Sequence, residues 1–199
     1  MAEILNVAHT ELLLGGQRSG KSARAERLAA QWLAASPEHE AVLLATATAY
    51  DDEMLERIAR HQADRATRVP RMRTVQEPVR LAAILAQISN PRTLVVVDCL
   101  TLWLTNMLMP ESSSDFKENS ALAVIESAQG ATDLIAFLPT CPGPVVLVSN
   151  EIGLGVIPLG REVRAFVDEL GRLNQSVAAV CERVTLMAAG CALTLKGSA

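Results

Sequence analysis

Strand-length apolar runs and helical stretches alternate along the chain. Leu-Leu-Leu at 12–14, the run 41–46, the β-branched run 93–98 and the run 144–149 read as buried strands, with a further strand at 71–75. Between them, 21–35, 51–63, 79–88, 100–109, 119–138 and 161–181 carry helical character, the last interrupted at Gly171. Ser36-Pro37 closes the first helix. Asp51, Asp52 and Glu53 open the second, where carboxylates complement the helix dipole, and Met54, Leu55 and Ile58 form its apolar side. Pro78 suits an early position in the third helix. Residues 184–188 and 192–195 read as a hairpin around Gly190. The Ser-rich segment 111–120 reads as an exposed loop, and residues 1–10 as a short tail or an added first turn.

This alternation predicts an α/β fold, a mostly parallel sheet with helices on both faces and a C-terminal hairpin, in one domain over 11–199. The 199 residues, 50% of them apolar, suit a single sizeable core. Ligands of such folds bind at the carboxyl ends of the strands. The segments after the strands are therefore where chemistry is expected.

The first of these is Gly15-Gly16-Gln17-Arg18-Ser19-Gly20-Lys21-Ser22. It fits G-x-x-x-x-G-K-[ST], follows a predicted strand and opens a predicted helix. Glycines let backbone N–H groups converge into a nest at the positive end of the helix, which binds phosphate. Lys21 would reach the β- and γ-phosphates of a nucleoside triphosphate, and the Ser22 hydroxyl would hold magnesium. At ordinary residue usage the bare pattern arises by accident in roughly one chain in a hundred of this length, and the strand and helix flanks make it more specific.

Composition narrows the partners. A net charge of −4 and 3% aromatic residues argue against a dedicated nucleic-acid binder, which needs basic surface and stacking platforms. The N-terminus has no basic segment followed by an apolar one, and no apolar run reaches membrane-spanning length. Cys99, Cys141, Cys181 and Cys191 lie far apart with no C-x-x-C spacing, as small buried thiols of a reducing cytoplasm would.

Asp98 ends the clearest strand. It either holds magnesium beside the phosphates or caps the helix that follows. His61 lies on the second predicted helix, among Arg57, Arg60, Arg65, Arg68, Arg71 and Arg73. These arginines are either a solvated basic face or part of a triphosphate pocket. A histidine among phosphate-binding groups can attack phosphorus as neutral imidazole, leaving a labile phosphoramidate. Glu77 and Glu151 are either surface carboxylates or contacts to ribose, base or metal. No N-K-x-D base-reading motif is present.

Several segments, in order, resemble one family, the bifunctional adenosylcobinamide kinase / adenosylcobinamide-phosphate guanylyltransferases. They are residues 15–26; Ala45-Thr46-Ala47 with Asp51-Asp52-Glu53-Met54; Arg57-Ile58-x-x-His61-x-x-x-Arg65; Val97-Asp98-Cys99-Leu100-Thr101; Thr105-Asn106; residues 148–158; and Gly171-Arg172-Leu173-Asn174-Gln175. The resemblance spans about 11–196. It implies a RecA-like P-loop fold, a homotrimer, and ATP and GTP as substrates alongside adenosylcobinamide and its phosphate. It aligns His61 with the family's guanylylated histidine. It aligns the phosphate loop, Thr46, Ala47, Thr48, Gln62, Ala63, Asp64, Arg65, Glu77 and Asp98 with its nucleotide contacts. Two departures stand out. Some relatives carry a histidine pair where this chain has Arg60-His61, and some carry Glu where this chain has Asp98. The competing readings are a plain small-molecule P-loop kinase and a RecA-like nucleotide-dependent switch or motor.

Overall fold

A computed structural model describes residues 6–48, 52–109 and 119–198; for 53, 54, 57, 58, 61 and 119–124 the description extends to the backbone alone. One seven-stranded sheet organises them, in the order β3-β2-β4-β5-β1-β6-β7. Its strands are β1 (Thr10–Gly15), β2 (Glu40–Ala45), β3 (Met72–Gln76), β4 (Thr93–Asp98), β5 (Val145–Val148), β6 (Arg183–Ala188) and β7 (Cys191–Lys196). The first six run parallel and β7 returns antiparallel to β6, as the expected hairpin. The loops that follow β1 to β5 therefore share one edge.

The helices are α1 (Lys21–Ala35), α2 (Asp52–Arg68), α3 (Leu81–Ile88), α4 (Leu100–Leu108), α5 (Asn119–Phe137) and α6 (Arg161–Val180). Because side chains alternate across a strand, each apolar run serves two cores. Leu12, Leu14, Val95, Val97, Val145 and Leu147 pack with Leu81 and Leu85 of α3, Leu100 and Trp103 of α4, Leu134 of α5, and Leu170, Leu173 and Val177 of α6. Leu13, Leu43, Leu94, Val96, Val146 and Val148 pack on the other face with Ala25, Leu28, Ala29 and Leu33 of α1.

Four expectations need correction. β1 begins at Thr10, which is buried with Ala8, so the segment just before Leu12 is packed rather than a free tail. α2 continues past Ala63 to Arg68, where Arg68 meets Glu26 of α1 at 2.7 Å. α3 starts at Leu81 instead of including Pro78 and Val79, because the Glu77 carboxylate accepts the backbone N–H groups of Val79 and Arg80 and holds them in a turn. α6 runs unbroken through Gly171: the buried stripe Leu170, Leu173, Val177 secures the helix against the propensity cost of one glycine, about 1 kcal/mol. The 111–118 loop and the capping role of Asp51 lie outside the described residues.

Candidate active site

The phosphate loop joins β1 to α1. Gly15 has φ +149° and Gly20 φ +104°, conformations that disfavour side chains. A Cβ on Gly15 would meet the Met187 carbonyl and lie 2.6 Å from Ser19 Oγ, so close packing against β6 also requires glycine. Gly16, Gln17 and Arg18 are exposed at the crest, while Ser19 and Lys21 are buried. Lys21 Nζ donates to the carbonyls of Gly15 and Gly16 at 2.9 and 2.7 Å. Burial pushes its ammonium pKa below the ordinary value, against the opposing pull of Cys99 and Asp98.

Asp98 ends β4, which is separated from β1 by β5. The Ser22 hydroxyl nevertheless donates to Asp98 Oδ2 at 2.8 Å. The capping alternative does not hold: Cys99, not Asp98, occupies the position before α4. A hydroxyl beside a carboxylate at a phosphate nest is a donor set that suits magnesium, which takes few protein ligands and completes its shell with phosphate and water. Cys99 is buried, and desolvation raises its thiol to about 11, so it stays protonated.

A second concavity, about 430 Å³, opens at the same edge and is lined by Ala47, Thr48, Gln62 and Pro78 together with Leu55, Ala59 and Gln76. It thus gathers two segments that the sequence links to nucleotide, the one after β2 and the face of α2. Thr46 itself is fully buried; its hydroxyl donates to the Cys99 carbonyl at 2.7 Å and accepts the Cys99 N–H at 2.8 Å. Glu77 borders this hollow through the turn it caps. Burial opposes its ionisation, but the N–H groups of Arg80 and Val79 and the Arg80 guanidinium outweigh burial and hold its carboxyl below the ordinary value. The His61 side chain lies outside the described residues; its backbone is part of α2, one residue before Gln62.

A family described as "Cobinamide kinase / cobinamide phosphate guanyltransferase" matches residues 11–195. The chain belongs to this family. It is 46% identical over 188 residues, covering 94% of this chain and 97% of the relative, to the "Bifunctional adenosylcobalamin biosynthesis protein CobP" of Pseudomonas aeruginosa. It is 35% identical over 187 residues, covering 93% of this chain and 98% of the relative, to the "Bifunctional adenosylcobalamin biosynthesis protein CobU" of Escherichia coli. Among solved structures, a Pyrococcus horikoshii OT3 protein described as a structural study of Project ID PH0250 superposes with TM-score 0.54 at 11% identity. It covers 98% of this chain and 90% of its own, a likeness of fold.

In this member of the cobinamide kinase / guanyltransferase family the arginines have divided fates. Arg68 pairs with Glu26 and with Asp64, at 2.7 and 3.4 Å, and Arg71 donates to the carbonyls of Leu33, Pro37 and His39. Arg68 thus joins α2 to α1, and Arg71 joins the approach to β3 to the end of α1 and the loop after it. Arg65 reaches Thr74 Oγ1 of β3 at 3.5 Å, and Arg60 and Arg73 are exposed. Ala63 and Asp64 are exposed on α2 as well.

Two groups carry weight that the sequence reading did not assign. Fully buried Glu11 on β1 accepts from Thr185 Oγ1 at 2.8 Å and faces Arg24 and Arg183 at 3.6 and 3.4 Å, anchoring α1 behind the phosphate loop. Glutamate inside a strand sequence gave no sign of this, because its partners are remote in the chain. Asn106 of α4 donates to backbone carbonyls on two different loops. The only sequence signal at Asn106 is its place in the family resemblance.

Proposed function

We propose that this protein catalyses two successive transfers. In the first, the hydroxyl oxygen of the aminopropanol arm of adenosylcobinamide attacks the γ-phosphorus of a nucleoside triphosphate; the diphosphate leaves and the hydroxyl proton is lost. In the second, an imidazole nitrogen of His61 attacks the α-phosphorus of GTP and pyrophosphate leaves. An oxygen of adenosylcobinamide phosphate then displaces His61, giving adenosylcobinamide-GDP. The names of the relatives and the matched family support this pair of activities. The observation that carries the assignment of residues is the shared edge: the phosphate loop with its Ser22–Asp98 pair beside a hollow lined by Thr48 and by Gln62, the neighbour of His61.

On this reading Gly15 to Ser22 cradle the phosphates, with Lys21 on the β- and γ-groups. Ala47, Thr48, Glu77 and the α2 residues Gln62, Ala63, Asp64 and Arg65 surround the nucleoside, with the buried Thr46 fixing the segment behind them. Ser22 and Asp98 would hold magnesium, which when bound neutralises charge on the phosphates. Glu77 is suited to accept from ribose or base, since its environment keeps it ionised. Which phosphorus reacts depends on which nucleophile is in line, His61 or the corrinoid hydroxyl.

A homotrimer in the cytoplasm belongs to the same proposal. Leu154, Val156, Ile157 and Leu159 are largely solvent-facing, Val156 by 96% and Leu159 by 97%, as side chains of a subunit interface are in a single chain. Cys99, Cys141 and Cys181 are buried thiols as expected, whereas Cys191 is exposed on β7; all four are free, as a reducing compartment keeps them. Among the described residues no helix is long and apolar enough to cross a membrane.

The test is incubation with GTP labelled at the α-phosphorus. The expected adduct is labile to acid, stable to alkali and absent in His61→Ala. With ATP as donor, His61→Ala retains phosphorylation of adenosylcobinamide. An unlabelled wild-type protein would sink the histidine step and leave a small-molecule kinase.

A further inference from the structure

Helix α4 starts immediately after Asp98-Cys99 and turns two side chains, three residues apart, back over the carboxyl edge of the sheet. The buried Asn106 Nδ2 donates to the Thr46 carbonyl at 2.7 Å and to the Pro78 carbonyl at 3.0 Å. Trp103 Nε1 donates to the Val79 carbonyl at 2.7 Å. The Thr46 backbone is fixed further, because its N–H donates to the Asp98 carbonyl and its hydroxyl bonds Cys99. One amide group thus ties the segment after β2 to the turn after β3. Those two segments supply Ala47, Thr48 and Pro78 to the lining of the 430 Å³ hollow.

We infer that Asn106 is a positioning residue for the nucleoside. It sets the separation of the Thr46–Thr48 segment from the Glu77 turn, and through Cys99 it ties that separation to the acid Asp98. Asn106 acts through these backbones. Two carbonyls held by one donor group explain why asparagine is needed here. An apolar residue of equal size removes the donor from both acceptors, the Thr46 carbonyl in a buried position, and aspartate turns an oxygen toward them. The inference rests on the reading that this hollow receives the nucleoside of GTP.

The prediction separates the two parts of the ligand. Magnesium tripolyphosphate needs only the phosphate loop, whereas GTP needs the hollow as well. Calorimetric titration of Asn106→Leu should show GTP affinity reduced at least tenfold and tripolyphosphate affinity within twofold of wild type. In guanylyl transfer the loss should appear in KM for GTP rather than in kcat. Asn106→Asp should weaken GTP at least as much. Should Asn106→Leu fail to fold, Asn106→Ser, whose hydroxyl reaches at most one carbonyl, is read in the same way. Equal weakening of both ligands, or of neither, overturns the inference, since a purely structural asparagine would affect them together. A wild-type protein that binds GTP and tripolyphosphate yet forms no adduct overturns the guanylyl-transfer reading and leaves the clamp standing.

Discussion

The Ser22 hydroxyl donates to Asp98 Oδ2 at 2.8 Å although 75 residues of chain lie between them, and β5 separates the strand ending in Asp98 from the strand leading to Ser22. The pair links the first turn of α1 to the end of β4, so both proposed transfers depend on it. Asp98→Asn keeps the size and removes the charge. Both ATP-dependent phosphorylation and guanylyl transfer should fall by about 10²–10³-fold, roughly 3–4 kcal/mol of barrier, with a higher magnesium requirement. Steady-state assays across a magnesium titration check this. A variant impaired in only one transfer would show that the two reactions do not share the acid.

The phosphate loop offers a contrast between two adjacent glycines. Gly15 has a positive φ and its Cβ position is blocked by the Met187 carbonyl and Ser19, whereas nothing lies within 4 Å of a Cβ on Gly16. Gly15→Ala should destabilise the fold by about 2–4 kcal/mol and abolish nucleotide binding, and Gly16→Ala should stay within about 0.5 kcal/mol in stability. Denaturant unfolding of the two variants side by side gives the comparison.

The ionised Glu77 carries a pH signature. Its folded pKa is below the ordinary 4.5, so the carboxylate stabilises the native state above about pH 4.5 and that contribution disappears as pH falls through the lowered value. Glu77→Gln should therefore have a lower Tm than wild type at pH 7, with the two curves converging in acid. Thermal melts between pH 7 and pH 3 measure the gap. A gap that stays constant would show that the charge contributes nothing.

The apolar loop after β5 predicts assembly. Val156→Asp combined with Leu159→Asp should convert an oligomer to a monomer in light scattering behind size exclusion, with little change in Tm measured at high dilution, because neither side chain packs within its own chain. An oligomer unaffected by both charges would place the interface elsewhere.

Much of the candidate site was legible because its parts are local. The phosphate loop, the strand ending in Asp98 and the helix of His61 each announce themselves within a dozen residues. The limits of α1 and β4 were also readable, since turn residues and apolar runs agree there. Boundaries failed where a tertiary contact overrode local preference. Glu77 captured two N–H groups and delayed α3, while the Arg68–Glu26 pair accompanies the last turns of α2. The arginine cluster could not be sorted by sequence, since Arg68 and Arg71 look like their neighbours until their partners are seen.

The sequence by itself determined the fold class, the glycine loop between β1 and α1 and the family, because each depends on short-range pattern: apolar periodicity, glycine spacing and a run of motifs in order. Only the tertiary structure decided that Asp98 faces Ser22 rather than capping α4, that Glu11 lies buried between two arginines, and that Asn106 joins two loops. These are pairings between residues distant in the chain. Their geometry is set by the order of strands in the sheet, which no local segment encodes.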